Sequence, residues 1–198
     1  MKYPIVEIFN SVQGEGYWAG KPMCFVRLAG CNLACAWCDT DHREKAVMTA
    51  EEIYGRVIQL TEMTTIDTVC LTGGEPTIHD LSDLSYFLSS GFKVHVETNG
   101  LRELELDEFI DWITVSPKFP PGLSYVRATA GDELKVPVCS ELTDLDIKDC
   151  ENFGLFPHRY LQPVDGPYLK QNAVRCLNLA MRGNWRLSFQ GHKRFDLA

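Results

Sequence analysis

Short apolar runs and helix-length amphipathic runs take turns along most of this chain, and that alternation limits its fold more than any other feature. Extended segments read at Tyr3 to Val12, Met23 to Leu28, Thr68 to Thr72, Lys93 to Thr98, Trp112 to Ser116, Glu133 to Val138 and His158 to Val164. In the first, alternation puts Ile5, Glu7 and Phe9 on one face and Val6 and Ile8 on the other. Between the strands lie helical patterns. Thr49 stands three residues before Glu52, a capping box, and Ile53, Val57, Ile58 and Leu60 follow as an apolar stripe. Further helices are expected at Leu81 to Ser90, Glu105 to Ile110, Glu141 to Ile147 and Tyr168 to Met181. Strands alternating with helices give βαβ units and a mostly parallel sheet. About six such strands are fewer than the eight of a closed barrel. The expected fold is α/β, an open, incomplete (β/α) barrel in one domain over residues 1–198.

Polar, glycine-rich segments follow the strands: CNLACAWC (31–38), TGGEP (72–76), ETNG (97–100), SPK (116–118) and QPVDG (162–166). Parallel α/β folds bind ligands at the C-terminal strand ends. All five segments fall on that edge.

The net charge of −8 argues against a basic nucleic-acid surface. No apolar run is long enough to span a bilayer, and the N-terminus lacks the pattern of a signal peptide. A cytoplasmic location is the expectation. Eight cysteines are many for such a chain. Cys24, Cys70, Cys139, Cys150 and Cys176 are scattered in apolar contexts and read as buried reduced thiols, not as a disulfide framework.

Cys31, Cys35 and Cys38 need another account. A structural zinc takes four ligands, and His42 is a possible fourth. A C-x-x-C redox pair would use Cys35 and Cys38 and leave Cys31 unexplained. A 4Fe–4S cluster held by three thiolates leaves one iron open to a small molecule. Spacing alone leaves these readings open.

The pattern C-x-x-x-C-x-aromatic-C, with Trp37 before Cys38, resembles the signature of the radical S-adenosylmethionine (SAM) superfamily. Gly73-Gly74-Glu75-Pro76 stands where that superfamily carries a GGE motif. The resemblance implies a cluster on the three cysteines whose open iron chelates SAM, and one-electron cleavage of SAM to a 5′-deoxyadenosyl radical. It extends further: Val6 to Thr40, with SPK, LQPVDG and the terminal QGHK (190–193), is similar to the 7-carboxy-7-deazaguanine synthase family. That likeness implies the substrate 6-carboxy-5,6,7,8-tetrahydropterin, hydrogen abstraction at C6, ring contraction with loss of ammonia, return of the hydrogen, and regeneration of SAM in a queuosine or other deazapurine pathway.

It also implies residue roles, each with a plainer reading beside it. Val12, Gln13 and Gly14 would contact the pterin edge, or form an ordinary glycine turn. Arg27, in the apolar FVRL, would pair with the substrate carboxylate, or bridge to Glu7 or Glu15. Thr40 would be the protein ligand of Mg²⁺, or a cap. Thr72 would meet substrate, and so, by family likeness, would the carboxylate of Ala198. Trp37, Cys38, Asp39, Gly73, Gly74, Glu75, Glu97, Ser116, Pro117 and Lys118 would hold SAM, with Gln162, Pro163, Val164 and Asp165 closing over adenine. Thr98 and Asn99, beside Glu97 in ETNG, would likewise reach the SAM ribose or carboxylate, or form an ordinary NG turn. Lys135 reads as half-exposed on its strand, and His79, His95 and His158 as structural; His192 is set apart by the family-like tail. A flavodoxin- or ferredoxin-type reductant and a homodimer are implied by the family. A glycyl-radical-enzyme activase shares the cluster loop but not SVQGEG, SPK or LQPVDG. A zinc-binding module without catalysis leaves the strand-end loops unexplained.

Overall fold

The computed structural model describes residues 1–103, 108–195 and 197. Its strands are β1 (Lys2–Val12), β2 (Pro22–Leu28), β3 (Ala46–Thr49), β4 (Thr68–Gly73), β5 (Lys93–Thr98), β6 (Trp112–Val115), β7 (Glu133–Val138), β8 (His158–Pro163) and β9 (Arg186–Leu187). The helices are α1 (Ala50–Thr61), α2 (Ser82–Ser89), α3 (Asp144–Glu151) and α4 (Leu169–Ala180). The strands form one sheet in the order β3-β1-β2-β4-β5-β6-β7-β8-β9. Neighbours from β2 through β9 pair in parallel, while β1 runs antiparallel to both β2 and β3. The two ends of that order do not pair, so the barrel is open as expected. The sequence reading omitted β3 and β9, which are too short to carry a period-2 signal.

Three local expectations are corrected. A β-bulge between Ile5 and Glu7 reverses the faces of β1. Ile5 and Ile8 therefore share one apolar cluster, and Phe9 turns to the other side. In α1 the capping box forms, with Thr49 N–H donating to Glu52 at 2.7 Å and Glu52 N–H to Thr49 Oγ1 at 3.2 Å. The buried face is Ala50, Ile53, Val57 and Thr61, and Ile58, one helical step further round, is 39% exposed. The helix expected from Glu141 begins at Asp144, because Thr143 caps it: its Oγ1 accepts from Asp146 N–H. Of the helix expected at Glu105 to Ile110, residues 105–107 lie outside the described residues, and Glu108 and Phe109 form a turn.

Strand alternation sorts the side chains. Val26 and Leu28 of β2, Val69 and Leu71 of β4, and Val94 and Val96 of β5 pack with Ile53 and Val57 of α1 and Leu84 and Leu88 of α2. Ile113, Val115, Leu134, Val136, Val138 and Leu161 pack with Ile147 and Cys150 of α3 and Cys176 of α4. The intervening residues face the other way and are mostly polar: Arg27, Thr72, His95, Glu97, Thr114, Glu133, Lys135 and Gln162. The five scattered cysteines are buried free thiols, as expected. No helix among the described residues is long and apolar enough to cross a membrane.

Candidate active site

The polar face and the strand-end loops enclose a cavity of about 320 Å³. Cys31, Cys35 and Cys38 all line it. The loop that carries them is pinned where it leaves β2: Gly30 N–H donates to His42 O, and Glu75 N–H donates to Gly30 O, each at 2.9 Å. Within it, Cys38 N–H donates to Cys35 O at 3.0 Å. Burial pushes the Cys31 and Cys35 thiols up, against the opposing pull of the Lys118 ammonium. Among the described residues, no group of three or more His, Cys, Asp or Glu side chains is placed to hold a single metal ion. A structural zinc requires that convergence. A cuboidal cluster, with a separate iron for each thiolate, does not. His42 instead sets Nδ1 3.3 Å from Thr40 O.

The GGEP turn follows β4. A Cβ on Gly74 would stand 2.1 Å from Gly30 O, so this glycine lets the turn pass the cysteine loop. The Glu75 side chain is 1% exposed. Its Oε1 accepts from Thr77 N–H, Thr77 Oγ1 and Thr98 Oγ1, and its Oε2 from Asn99 N–H at 2.6 Å. The carboxylate thus ties the loop after β4 to the loop after β5. Asn99 Nδ2 in turn donates to Asn32 Oδ1, reaching the cysteine loop. Lys118 Nζ donates to Ser116 O and Oγ, at 2.8 and 2.7 Å, and lies 5.9 Å from the centre of the Trp37 ring.

Elsewhere in the cavity a charged group occupies the polar face. Lys135 is 3% exposed, not half-exposed as its strand position suggested. Its ammonium donates to Glu15 Oε2 at 2.5 Å and to Glu97 Oε1 at 3.4 Å. Burial raises the Glu15 carboxyl, but Lys135 outweighs it and brings the value down to about 2. Gln13 Nε2 donates to Glu97 Oε1, and Gln13 Oε1 accepts from Glu15 N–H. Gln13 N–H and C=O are paired with Lys21 and Gly20, so its polar groups serve this network more than a ligand edge. Gln162 is similarly engaged, accepting from Ser188 Oγ at 2.6 Å.

Arg27 forms the bridge to Glu7 that its plainer reading gave. Its Nε–H donates to Glu7 Oε1 at 2.8 Å, and its guanidinium carbon lies 5.6 Å from the Phe9 ring centre. The Glu7 bond fixes the guanidinium while the side chain still lines the cavity. Thr40 Oγ1 donates to Asp39 Oδ1 at 3.3 Å and caps no helix.

The residues 190–193 close the wall. Gly191 N–H donates to Gly14 O at 2.9 Å. A Cβ on Gly14 would stand 1.9 Å from His192 Nδ1, so this glycine admits the tail. Gln190 Nε2 donates to Glu15 Oε1. Lys193 pairs with Asp39 and with Asp165, joining the cysteine loop to the loop after β8. Burial raises the Asp39 carboxyl, but Lys193 holds it below its ordinary value.

Of the residues expected at the site, Val12, Gln13, Gly14, Arg27, Trp37, Asp39, Thr40, Thr72, Gly73, Gly74, Glu75, Glu97, Ser116, Lys118, Gln162, Val164 and Asp165 line this cavity with the three cysteines. Pro117 and Pro163 do not. Ala198 lies outside the described residues. The sequence reading did not place Phe9, Glu15, Phe25, Leu33, Lys135, Gln190 or Lys193 at the site, and all line it.

Comparison with known proteins agrees with this geometry. Residues 26–121 match the radical SAM superfamily. A 7-carboxy-7-deazaguanine synthase of Bacteroides thetaiotaomicron is 40% identical over 201 residues, covering 100% of both chains. The chain belongs to the 7-carboxy-7-deazaguanine synthase family. That of Escherichia coli K12 is 34% identical over 228 residues, again across both whole chains. A crystal structure of QueE from Escherichia coli superposes with a TM-score of 0.77 at 32% identity, covering 97% of this chain and 95% of that one. Membership of this family, within the radical SAM superfamily, implies a 4Fe–4S cluster and SAM, and the thiol set of the cavity fits that cluster.

Proposed function

We propose that this chain is itself a 7-carboxy-7-deazaguanine synthase, contracting the ring of 6-carboxy-5,6,7,8-tetrahydropterin with loss of ammonia. One observation carries the reading: a single cavity takes in the three cysteines, the glycine-rich turn after β4, and a guanidinium and ammonium suited to an anionic heterocycle. Cys31, Cys35 and Cys38 hold the cluster. When bound, the cluster and SAM supply reversible hydrogen-atom abstraction at the pterin C6.

The chain's own residues orient and shield that chemistry. The GGEP turn offers backbone carbonyls to the SAM ammonium, while Glu75 keeps the turn in place. Trp37, Ser116 and Lys118 flank the nucleoside, and Val164 and Asp165 cover adenine. Arg27 takes the pterin carboxylate through the guanidinium edge that Glu7 leaves free. Glu97 and Lys135, paired on the polar face of β5 and β7, meet the ring nitrogens, and Glu97 goes with the substrate instead of with SAM, where the sequence likeness put it. Val12, Gly14, Thr72 and His192 complete the substrate wall, and Thr40 supplies the one protein ligand of a Mg²⁺ ion otherwise bound by water and substrate.

Residues 1–198 act as one domain, a reading supported by the single sheet that runs from Lys2 to Leu187. The family supports a homodimer working in the cytoplasm, reduced by a flavodoxin or ferredoxin. The test is anaerobic turnover of the iron-reconstituted protein with reductant, SAM, Mg²⁺ and the carboxytetrahydropterin, read by mass spectrometry. A product lighter by ammonia, with SAM unconsumed, is expected. SAM cleavage without that product would assign the chain a different substrate.

A further inference from the structure

Behind the main cavity lies a second, much smaller one of about 10 Å³. Gln13, Glu15 and Glu97 line both, and form the partition between them. Trp18, Cys70, His95, Trp112, Thr114 and Glu133 complete the small one. Its volume is that of about one water.

Two buried polar atoms on its lining residues have no hydrogen-bond partner among the described residues: Trp18 Nε1 and Glu133 Oε1. Glu133 is 1% exposed, and its other oxygen accepts from Tyr17 N–H at 2.8 Å. A buried polar atom left unpaired is costly, and such atoms in native proteins usually meet protein or ordered water.

Charge fixes the chemistry of the partner. Three carboxylates (Glu15, Glu97 and Glu133) act on one ammonium, Lys135. Lys135 pairs directly with Glu15 and Glu97. Among the described residues no cation forms an ion pair with Glu133; burial raises its carboxyl above its ordinary value, Lys135 and the Tyr17 N–H oppose this, and Glu97 and Glu15 add to the rise. His95, facing the same cavity, is lowered by burial to about 4 and stays neutral near pH 7. Trp18 Nε1 is a donor, and Glu133 becomes one at Oε1 in its acid form, the form that burial favours. The occupant must accept two hydrogen bonds. Water has the two lone pairs; an ammonium ion has none.

We infer that the small cavity is a site for one water held by Glu133 and Trp18, and that this pair stores a proton for Glu97 on the substrate side. The proton step balances simply. Glu133 gives its proton to the water, and the water gives one of its own to the Glu97 carboxylate. Glu97 passes it to the nitrogen that leaves, and Glu133 remains as carboxylate until solvent reprotonates it. Glu133 is a positioning and proton-supplying residue, since it meets substrate only through Glu97. This second role rests on the pterin reaction proposed above; the water site does not.

The experiment has two parts. A crystal structure at a resolution that shows ordered water should place one density peak within hydrogen-bond distance of Trp18 Nε1 and Glu133. No peak there would overturn the site. Glu133→Gln keeps the shape and one donor of the protonated acid but cannot release a proton. Its kcat should fall at least tenfold, and the loss of activity as pH rises through the Glu133 pKa should vanish from its profile. Transfer of deuterium from substrate C6 into SAM should continue in that variant. An unchanged pH profile would overturn the proton store. If the parent protein makes no deazaguanine from the pterin, the function fails instead, and the water site is judged by the crystal alone.

Discussion

Lys135 Nζ lies 2.5 Å from Glu15 Oε2, an ion pair between residues 120 positions apart. Both side chains are largely withdrawn from water, at 4% and 14% exposure. Removing one partner of such a pair leaves the other charge buried alone. Lys135→Met is expected to cost about 3–5 kcal/mol of stability, measured by urea unfolding. Adding Glu15→Gln to that variant should restore a substantial part. If the double variant were as unstable as the single one, the pair would not be the cause.

The same pair sets an acid dependence. Glu15 has its folded value below the unfolded one, so its contribution is present above about 4.5 and is lost as pH falls toward about 2. Lys135 has its folded value raised, so its contribution holds below the ordinary lysine range and is lost only in strong alkali. Wild-type stability should therefore drop between pH 4.5 and 2 more steeply than that of the Lys135→Met, Glu15→Gln protein. Parallel acid profiles of the two would contradict the assignment.

Replacing any one of Cys31, Cys35 and Cys38 by Ala should prevent stable cluster assembly. Iron and sulfide content after anaerobic reconstitution is the readout, and the brown colour should be lost. Full iron loading in any single variant would remove that cysteine from the ligand set.

Arg27→Ala should raise KM for the pterin about 10- to 100-fold, the loss of a charge-assisted hydrogen bond worth roughly 1.5–3 kcal/mol. Affinity for SAM should stay as it was. A fall in SAM affinity instead would move Arg27 to the nucleotide side of the cavity.

Gly14→Ala puts a methyl group where His192 Nδ1 sits. The expected result is a tail that no longer docks: amides of residues 190–193 should exchange hydrogen faster, while those of β4 and β5 keep their protection. Unchanged exchange in the tail would mean that the contact is dispensable.

Much of the fold was legible because its strands repeat with period 2 and α1 starts at a capping box. The bulge in β1 was not, since the extra residue leaves no mark in an apolar run. Lys135 shows a different failure. Leu134, Val136 and Val138 already assign one face of β7 to the core, so Glu133 and Lys135 must share the other. In an open barrel that other face is the interior, and a lysine there is buried with acids. The cysteines, Arg27 and the strand-end loops could be found by local pattern. Glu15, Gln190 and Lys193 reach the site through partners distant in sequence, which no local pattern carries.

The open sheet has a consequence for the order in which the molecule is built. Gly16 N–H bonds Ser188 Oγ across 172 positions, and Gln190 bonds Glu15 across 175. Such contacts form late, because the chain between them must first be ordered. The cysteine loop takes its backbone bonds from its own end at His42 and from the turn after β4, and Asn99 reaches Asn32 within it, all made within the first hundred residues. During synthesis the three thiols are thus gathered well before the wall that shields them exists. A nascent chain stalled short of residue 188 would present the cysteine loop without the wall that residues 188–193 supply, open to oxidant.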